Sequence, residues 1–145
     1  MPPARAGRGR RPGAAHGHTF LGKGLRDRAR CGAIGYHPSL LPRHRGRDAV
    51  RWAVKMGDAV TGGTVYQLTD TPDAGPILAQ HWCWVYPSDT PKTLWRDRLA
   101  PLGLDLLRAV LLDLGAGRLR PVAQDERAAT WEPAFSRPPL ASQAP

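Results

Sequence analysis

An α/β fold is predicted, an open sheet with flanking helices, and three observations predict it. Apolar runs of strand length at 31–36, 64–69 and 77–85 alternate with stretches of helical periodicity at 49–56 and 90–114. Gly- and Pro-bearing turns such as Thr61-Gly62-Gly63 and Asp70-Thr71-Pro72-Asp73-Ala74-Gly75-Pro76 join them. A length of 145 residues, 41% of them apolar, supports one core and not two.

The chain starts with residues 1–13 (MPPARAGRGRRPG), which have nothing to bury and read as a disordered basic arm. Gly7-x-Gly9 is no nucleotide fingerprint, since no strand precedes it and no helical pattern follows. His16-Gly17-His18 offers two metal ligands without a third at suitable spacing, so no metal site is expected. Gly22 to Arg30 fits a short, weakly amphipathic helix or a loop. Cys31 to Tyr36 (CGAIGY) is a strand that delivers His37 to its carboxyl end, where open α/β sheets bind their ligands.

A proline-bracketed loop, His37 to Pro42, then runs into a basic knot of Arg43, His44, Arg45 and Arg47. Two readings stand for the knot: a phosphate- or carboxylate-binding cluster, or a solvated loop. Asp48 is the expected N-cap of a helix over Ala49 to Met56, closed by Gly57-Asp58. Thr64 to Thr69 and Ile77 to Val85 form a hairpin whose tip carries Asp70 and Asp73. His81, Trp82 and Trp84 read as sheet-packing residues, the two tryptophans on one face by alternation.

Ser88 or Asp89 caps the long helical stretch from Thr90 to Leu114, whose apolar positions are Leu94, Leu99, Leu102, Leu106, Val110 and Leu114. Pro101 should kink or divide it, and Gly115-Ala116-Gly117 ends it. Trp95 and the leucines read as core. Arg118 to Asp125 is an expected edge strand. The sequence beyond is an irregular tail, 133–145 falling outside the domain, with Trp131 folding back as an anchor.

The net charge of +9 is front-loaded, with 12 Lys/Arg against 2 Asp/Glu in residues 1–51 and 9 against 10 in residues 52–145. That front can serve an anionic partner or be a solvated arm. No apolar run reaches membrane-spanning length, and the basic N-terminus lacks the apolar core of a secretory signal. Cys31 and Cys83 follow no pairing pattern and read as reduced thiols of a cytoplasmic protein.

A histidine and an aspartate, His37 and Asp73, each held on a loop by rigid neighbours, meet a basic need of general acid–base chemistry. The two motifs around them carry a resemblance. His37-Pro38-Ser39-Leu40-Leu41-Pro42, closed by Gly46 and followed by Asp73-x-Gly75 at 36 residues from the histidine, is similar to the catalytic pair of 10-formyltetrahydrofolate-dependent formyltransferases. The similarity covers about residues 14–132, which makes that stretch the expected catalytic domain. The resemblance implies a Rossmann-like open sheet, of which this chain is the C-terminal half. It implies 10-formyltetrahydrofolate as formyl donor and an amine as acceptor, methionyl-tRNA or an amino sugar, or water in a hydrolase. His37 would carry the proton and assist the oxyanion. Asp73 would hold His37 or an ordered water. Leu40, Leu41 and Pro42 would form an apolar wall, and the turn at Asp70 would shape the pterin pocket.

Two departures accompany the resemblance. The family pattern has an asparagine two residues before the histidine, and Gly35 stands there. Losing such an oxyanion donor costs about 10²–10³ in rate, although the formyltetrahydrofolate dehydrogenase branch also lacks it. Its motif is closely similar to Tyr36 to Gly46. Family members also place several βα units ahead of the histidine strand, so the expectation is a chain truncated at its N-terminal part. The separate tRNA-binding domain of methionyl-tRNA formyltransferase is missing too, which weakens tRNA as acceptor. The Asp73 to Gln80 run also resembles the sugar-amine branch. Two non-enzymatic alternatives stand beside this, a folate-binding remnant and a basic nucleic-acid-binding module; no helix-turn-helix or RNA-binding signature supports the latter.

Overall fold

A computed structural model of the chain describes residues 22–26, 28–29 and 32–135. The basic arm, the His16-x-His18 pair, Cys31 and everything after residue 135 lie outside the described residues. The α/β expectation is met. A short helix α1 (Lys23–Arg26) leads to strand β1 (Ile34–His37), helix α2 (Ala49–Met56), and strands β2 (Val60–Gln67) and β3 (Ile77–Trp84). Helices α3 (Pro91–Leu94) and α4 (Ala100–Gly115) follow, joined by a π-helical turn at Trp95–Leu99.

The three strands form an antiparallel sheet in the order β1-β2-β3. His37 lies opposite Thr64, Gly35 opposite Tyr66, and Thr64 opposite Gln80. The two-residue period therefore places Gly35, His37, Thr64, Tyr66 and Gln80 on one face, and Tyr36, Gly63 and Val65 on the other. Helix α4 covers the second face, with Tyr36 as the spacer. A Cβ at Gly103 would come 2.7 Å from the Tyr36 ring, and the Tyr36 hydroxyl donates to the Leu99 carbonyl at 2.6 Å. Glycine at 63 and 103 makes room for that ring from both sides. Leu94, Leu99, Val110, Val65, Ala49, Ala53 and Leu41 are buried and form the core.

Several boundaries differ from expectation for local reasons. Asp48 does precede α2, but its backbone is not extended and its side chain makes no cap bond; it accepts from the Phe135 N–H at 2.9 Å instead. Gly57 closes that helix as expected, in the left-handed conformation at φ 67°. The second helical stretch is capped by Thr90, not by Ser88 or Asp89. Thr90 and Thr93 form a reciprocal capping box, with Pro91 in the first turn. Asp89 accepts from the Tyr86 N–H at 2.7 Å and pairs with Arg98. The division expected at Pro101 falls one turn earlier, where the Ala100 N–H reaches back to the Trp95 carbonyl.

Leu114 is exposed, and Trp95 is 44% exposed, turned outward beside the Tyr36 ring. Trp82 and Trp84 share a face as expected, yet they are 48% and 52% exposed and meet edge-on at 5.2 Å instead of packing the sheet. The edge strand expected at 118–125 shrinks to one antiparallel bridge between Val122 and Ile77. Pro121 precedes it and brings no N–H to extend a ladder. Trp131 does lie in a segment that folds back, bridged to Arg45. Among the described residues no helix is long and apolar enough to cross a membrane.

Candidate active site

His37 is the last residue of β1, and burial of its ring is nearly complete. Its Nε2 lies 2.7 Å from the backbone carbonyl of His44. A carbonyl oxygen only accepts, so Nε2 carries a hydrogen and the neutral ring keeps its lone pair on Nδ1. That nitrogen faces Asp73, 3.7 Å from Oδ1.

Asp73 is held independently of His37. Its Oδ1 accepts from the Tyr66 hydroxyl at 2.7 Å and its Oδ2 from the Gly46 N–H at 2.8 Å. The Gln124 amide donates to its carbonyl at 2.9 Å. Its backbone adopts a left-handed φ of 53°, a rare state for a residue with a side chain. The glycine two positions on is required by contact, because a Cβ at Gly75 would collide with the Gln67 carbonyl. Burial first, and then the neighbouring Asp73 charge, push the Tyr66 phenol well above its ordinary range, so it stays a donor.

The loop after His37 is stitched to the sheet through Thr64, whose side chain is fully buried. The Thr64 hydroxyl donates to the Ser39 carbonyl at 2.7 Å and accepts from the Leu41 N–H at 3.2 Å and the Gln80 amide at 2.8 Å. Gln80 also donates to the Leu41 carbonyl at 2.9 Å. Leu41 itself is only 2% exposed, so its side chain belongs to the core and not to a ligand-facing wall. Leu40 and Pro42 are half-buried. Asp70 sits in the turn with its side chain 73% exposed, paired with Arg26.

The basic knot divides: Arg43 and Arg47 are exposed, as the solvated-loop reading has it, whereas the other two members are not. His44 and Arg45 are buried, and both serve the fold. Arg45 makes bidentate contacts to Glu126 at 2.7 and 2.9 Å and also binds Gln124. Those bonds hold the Glu126 carboxyl below its ordinary range. Arg43 faces Asp58 at 3.4 Å.

The structure thus brings His37 and Asp73 together, as the family resemblance implied. Thr64, Tyr66, Gln80 and Gln124 complete the setting and are not legible as site residues from the sequence. The usable signal was alternation, since Thr64 and Tyr66 share a face with a strand-end histidine. Gly35 has its own reason: a Cβ there would sit 2.8 Å from Leu68 and 3.4 Å from the Tyr66 ring, so these side chains fill the space an asparagine would use.

Residues 14–111 match the family model described as formyl transferase. The chain belongs to the formyl transferase family. It is 42% identical over 118 residues to methionyl-tRNA formyltransferase of Nitratidesulfovibrio vulgaris, covering 81% of this chain and 35% of that protein. It is 38% identical over 113 residues to mitochondrial 10-formyltetrahydrofolate dehydrogenase of Homo sapiens, covering 78% of this chain and 12% of that protein. The crystal structure of phosphoribosylglycinamide formyltransferase from Bacillus halodurans superposes with a TM-score of 0.60 at 30% identity, over 66% of this chain and 49% of that one. This formyl transferase chain therefore spans about a third or less of the two curated relatives. The expected fold, an open sheet with helices of the Rossmann-like formyltransferase kind, agrees with its structural neighbours.

Proposed function

We propose that this chain carries the formyl-transfer centre of a 10-formyltetrahydrofolate-dependent enzyme, with His37 as proton carrier and Asp73 as its partner. The approach of His37 Nδ1 to Asp73 Oδ1, with Nε2 already committed to the His44 carbonyl, carries the reading. When bound, 10-formyltetrahydrofolate supplies the formyl carbon. Nδ1 of His37 accepts the proton that an amine sheds as its nitrogen bonds to that carbon, and returns it to the folate nitrogen as the old C–N bond breaks. Asp73 stabilises the imidazolium formed in between. With Gly35 in place of an amide donor, the protonated Nδ1 is also the hydrogen-bond donor available to the developing oxyanion.

Leu40 and Pro42 supply the apolar wall for the donor, Leu41 supports them from the core, and the Asp70 turn borders the pterin. The acceptor is an amine, in methionyl-tRNA or an amino sugar. The relatives named for methionyl-tRNA and phosphoribosylglycinamide formylation support that class. Hydrolysis is the second reading, favoured by the match to a 10-formyltetrahydrofolate dehydrogenase. The proposed domain is residues 14–132, and the proposed setting is the cytoplasm. The sorting experiment measures tetrahydrofolate release with methionyl-tRNA, with a nucleotide-linked amino sugar and with no added acceptor. Acceptor-dependent release supports transfer, acceptor-independent release supports hydrolysis, and no release from folded chain contradicts both.

A further inference from the structure

Two non-glycine residues among those described have a positive φ, His44 at 54° and Asp73 at 53°. Each of them meets a ring nitrogen of His37, His44 at Nε2 and Asp73 at Nδ1. Left-handed backbone is unfavourable for a residue with a Cβ and persists where its surroundings impose it. At Asp73 the carboxylate is visibly tethered. His44 is not part of the proposed chemistry, and its surroundings are more elaborate.

The His44 ring is buried with Nε2 2.7 Å from Asp58 Oδ2. Its Nδ1 stands 3.0 Å from Glu132 Oε1 and makes no hydrogen bond. The His44 N–H donates to the Thr130 hydroxyl at 2.8 Å. On either side, the Thr130 N–H bonds the Pro42 carbonyl at 3.1 Å and the Arg45 N–H bonds the Thr130 carbonyl at 3.0 Å. Asp58 is fixed in turn by its position after α2, where its N–H reaches the Ala53 carbonyl. The ring and the backbone of His44 are therefore both pinned, by segments far apart in sequence. The one group of His44 aimed at the site is its carbonyl, on His37 Nε2.

We infer that His44, clamped by Asp58 at its ring and by Thr130 at its backbone, is a positioning residue that sets the tautomer of His37. Resting on the formyl-transfer reading, this explains why the lone pair of His37 stands on Nδ1, facing Asp73. A carbonyl swung away from Nε2 would release the hydrogen to either nitrogen, and a ring that carries it on Nδ1 presents an N–H where a base is needed. Tautomer errors of that kind are costly in other His-based centres.

The test is the tautomer itself, read by long-range ¹H–¹⁵N spectra of histidine-labelled protein, followed upward in pH until the His37 signals stop changing. The wild-type His37 is expected as a single Nε2–H tautomer. Asp58→Asn loosens the clamp. His44→Gly removes the ring while keeping the carbonyl and tolerating the left-handed φ. Both are expected to give mixed His37 tautomers and kcat lower by about 10- to 100-fold, with KM for the donor within about twofold. A wild-type His37 carrying its hydrogen on Nδ1, or an Nε2–H tautomer that persists in both variants, overturns the inference. A wild-type chain that shows the tautomer and its loss in the variants but never releases tetrahydrofolate leaves the positioning role standing and removes the proposed chemistry.

Discussion

His37 and Asp73 stand 3.7 Å apart at Nδ1 and Oδ1, and Asp73 is held there by Tyr66 and Gly46, not by His37. The gap is too wide for a direct hydrogen bond and short enough for a strong charge interaction once Nδ1 is protonated. Asp73→Asn keeps one carbonyl oxygen to accept from Gly46 or Tyr66 and removes the charge. Turnover is expected to fall by about 10² or more, the size typical of a removed charge stabiliser, and the melting temperature to drop as well, because one of the two donors on the carboxylate loses its acceptor. Steady-state kinetics beside a thermal melt check this.

Tyr66→Phe removes the donor on Asp73 Oδ1 and changes little volume. A hydrogen bond to a charged group is worth about 1.5–3 kcal/mol, so stability should drop by about that amount. Turnover should fall as well, because the carboxylate is freed to rotate away from His37. Urea unfolding and kcat of the variant read the two effects separately.

Thr64→Val tests the scaffold under the His37 loop. The hydroxyl serves Ser39, Leu41 and Gln80 together, in a fully buried position. Valine leaves those groups without their partner at about 1–3 kcal/mol for each group left unsatisfied. The expected outcome is a large loss of stability, seen as a lower urea midpoint with an unchanged m-value.

Alkaline stability follows from Tyr36 and Tyr66, both pushed above the ordinary phenol range, by burial first in each case. The unfolded chain loses these protons near pH 10 while the folded chain keeps them, so the unfolded state binds fewer protons above that point. Their contribution is fully present below about pH 10 and is lost as pH rises through the folded values. Urea midpoints should hold steady up to about pH 9 and decline beyond about 10, and the Tyr36→Phe/Tyr66→Phe double variant should decline less.

Much of this was legible before the structure. Helix α2 and its Gly57 stop, the β2–β3 hairpin and the strand leading to His37 follow from short-range rules of period, capping and turns. The meeting of His37 with Asp73 followed from the family resemblance of the two motifs. What stayed hidden depends on contacts between distant segments. Arg45 and His44 looked like surface charge because their partners, Glu126, Asp58 and Glu132, lie 81, 14 and 88 residues away. Leu41 looked like pocket wall because sequence shows apolarity and not direction. Trp82 and Trp84 looked buried because alternation assigns a face but does not say what covers it. The caps at Thr90 and Asp48 turned on backbone angles that neighbouring residues impose.

The central claim is that His37 carries the proton in formyl transfer, and one comparison tests it most directly. Tetrahydrofolate release from 10-formyltetrahydrofolate is measured for the wild-type chain and for His37→Gln, whose amide can still donate to the His44 carbonyl and so preserve the loop. The expected result is release by the wild type that falls by about 10²–10⁴ in the variant, with folding retained. Equal release by both proteins would contradict the assignment of His37.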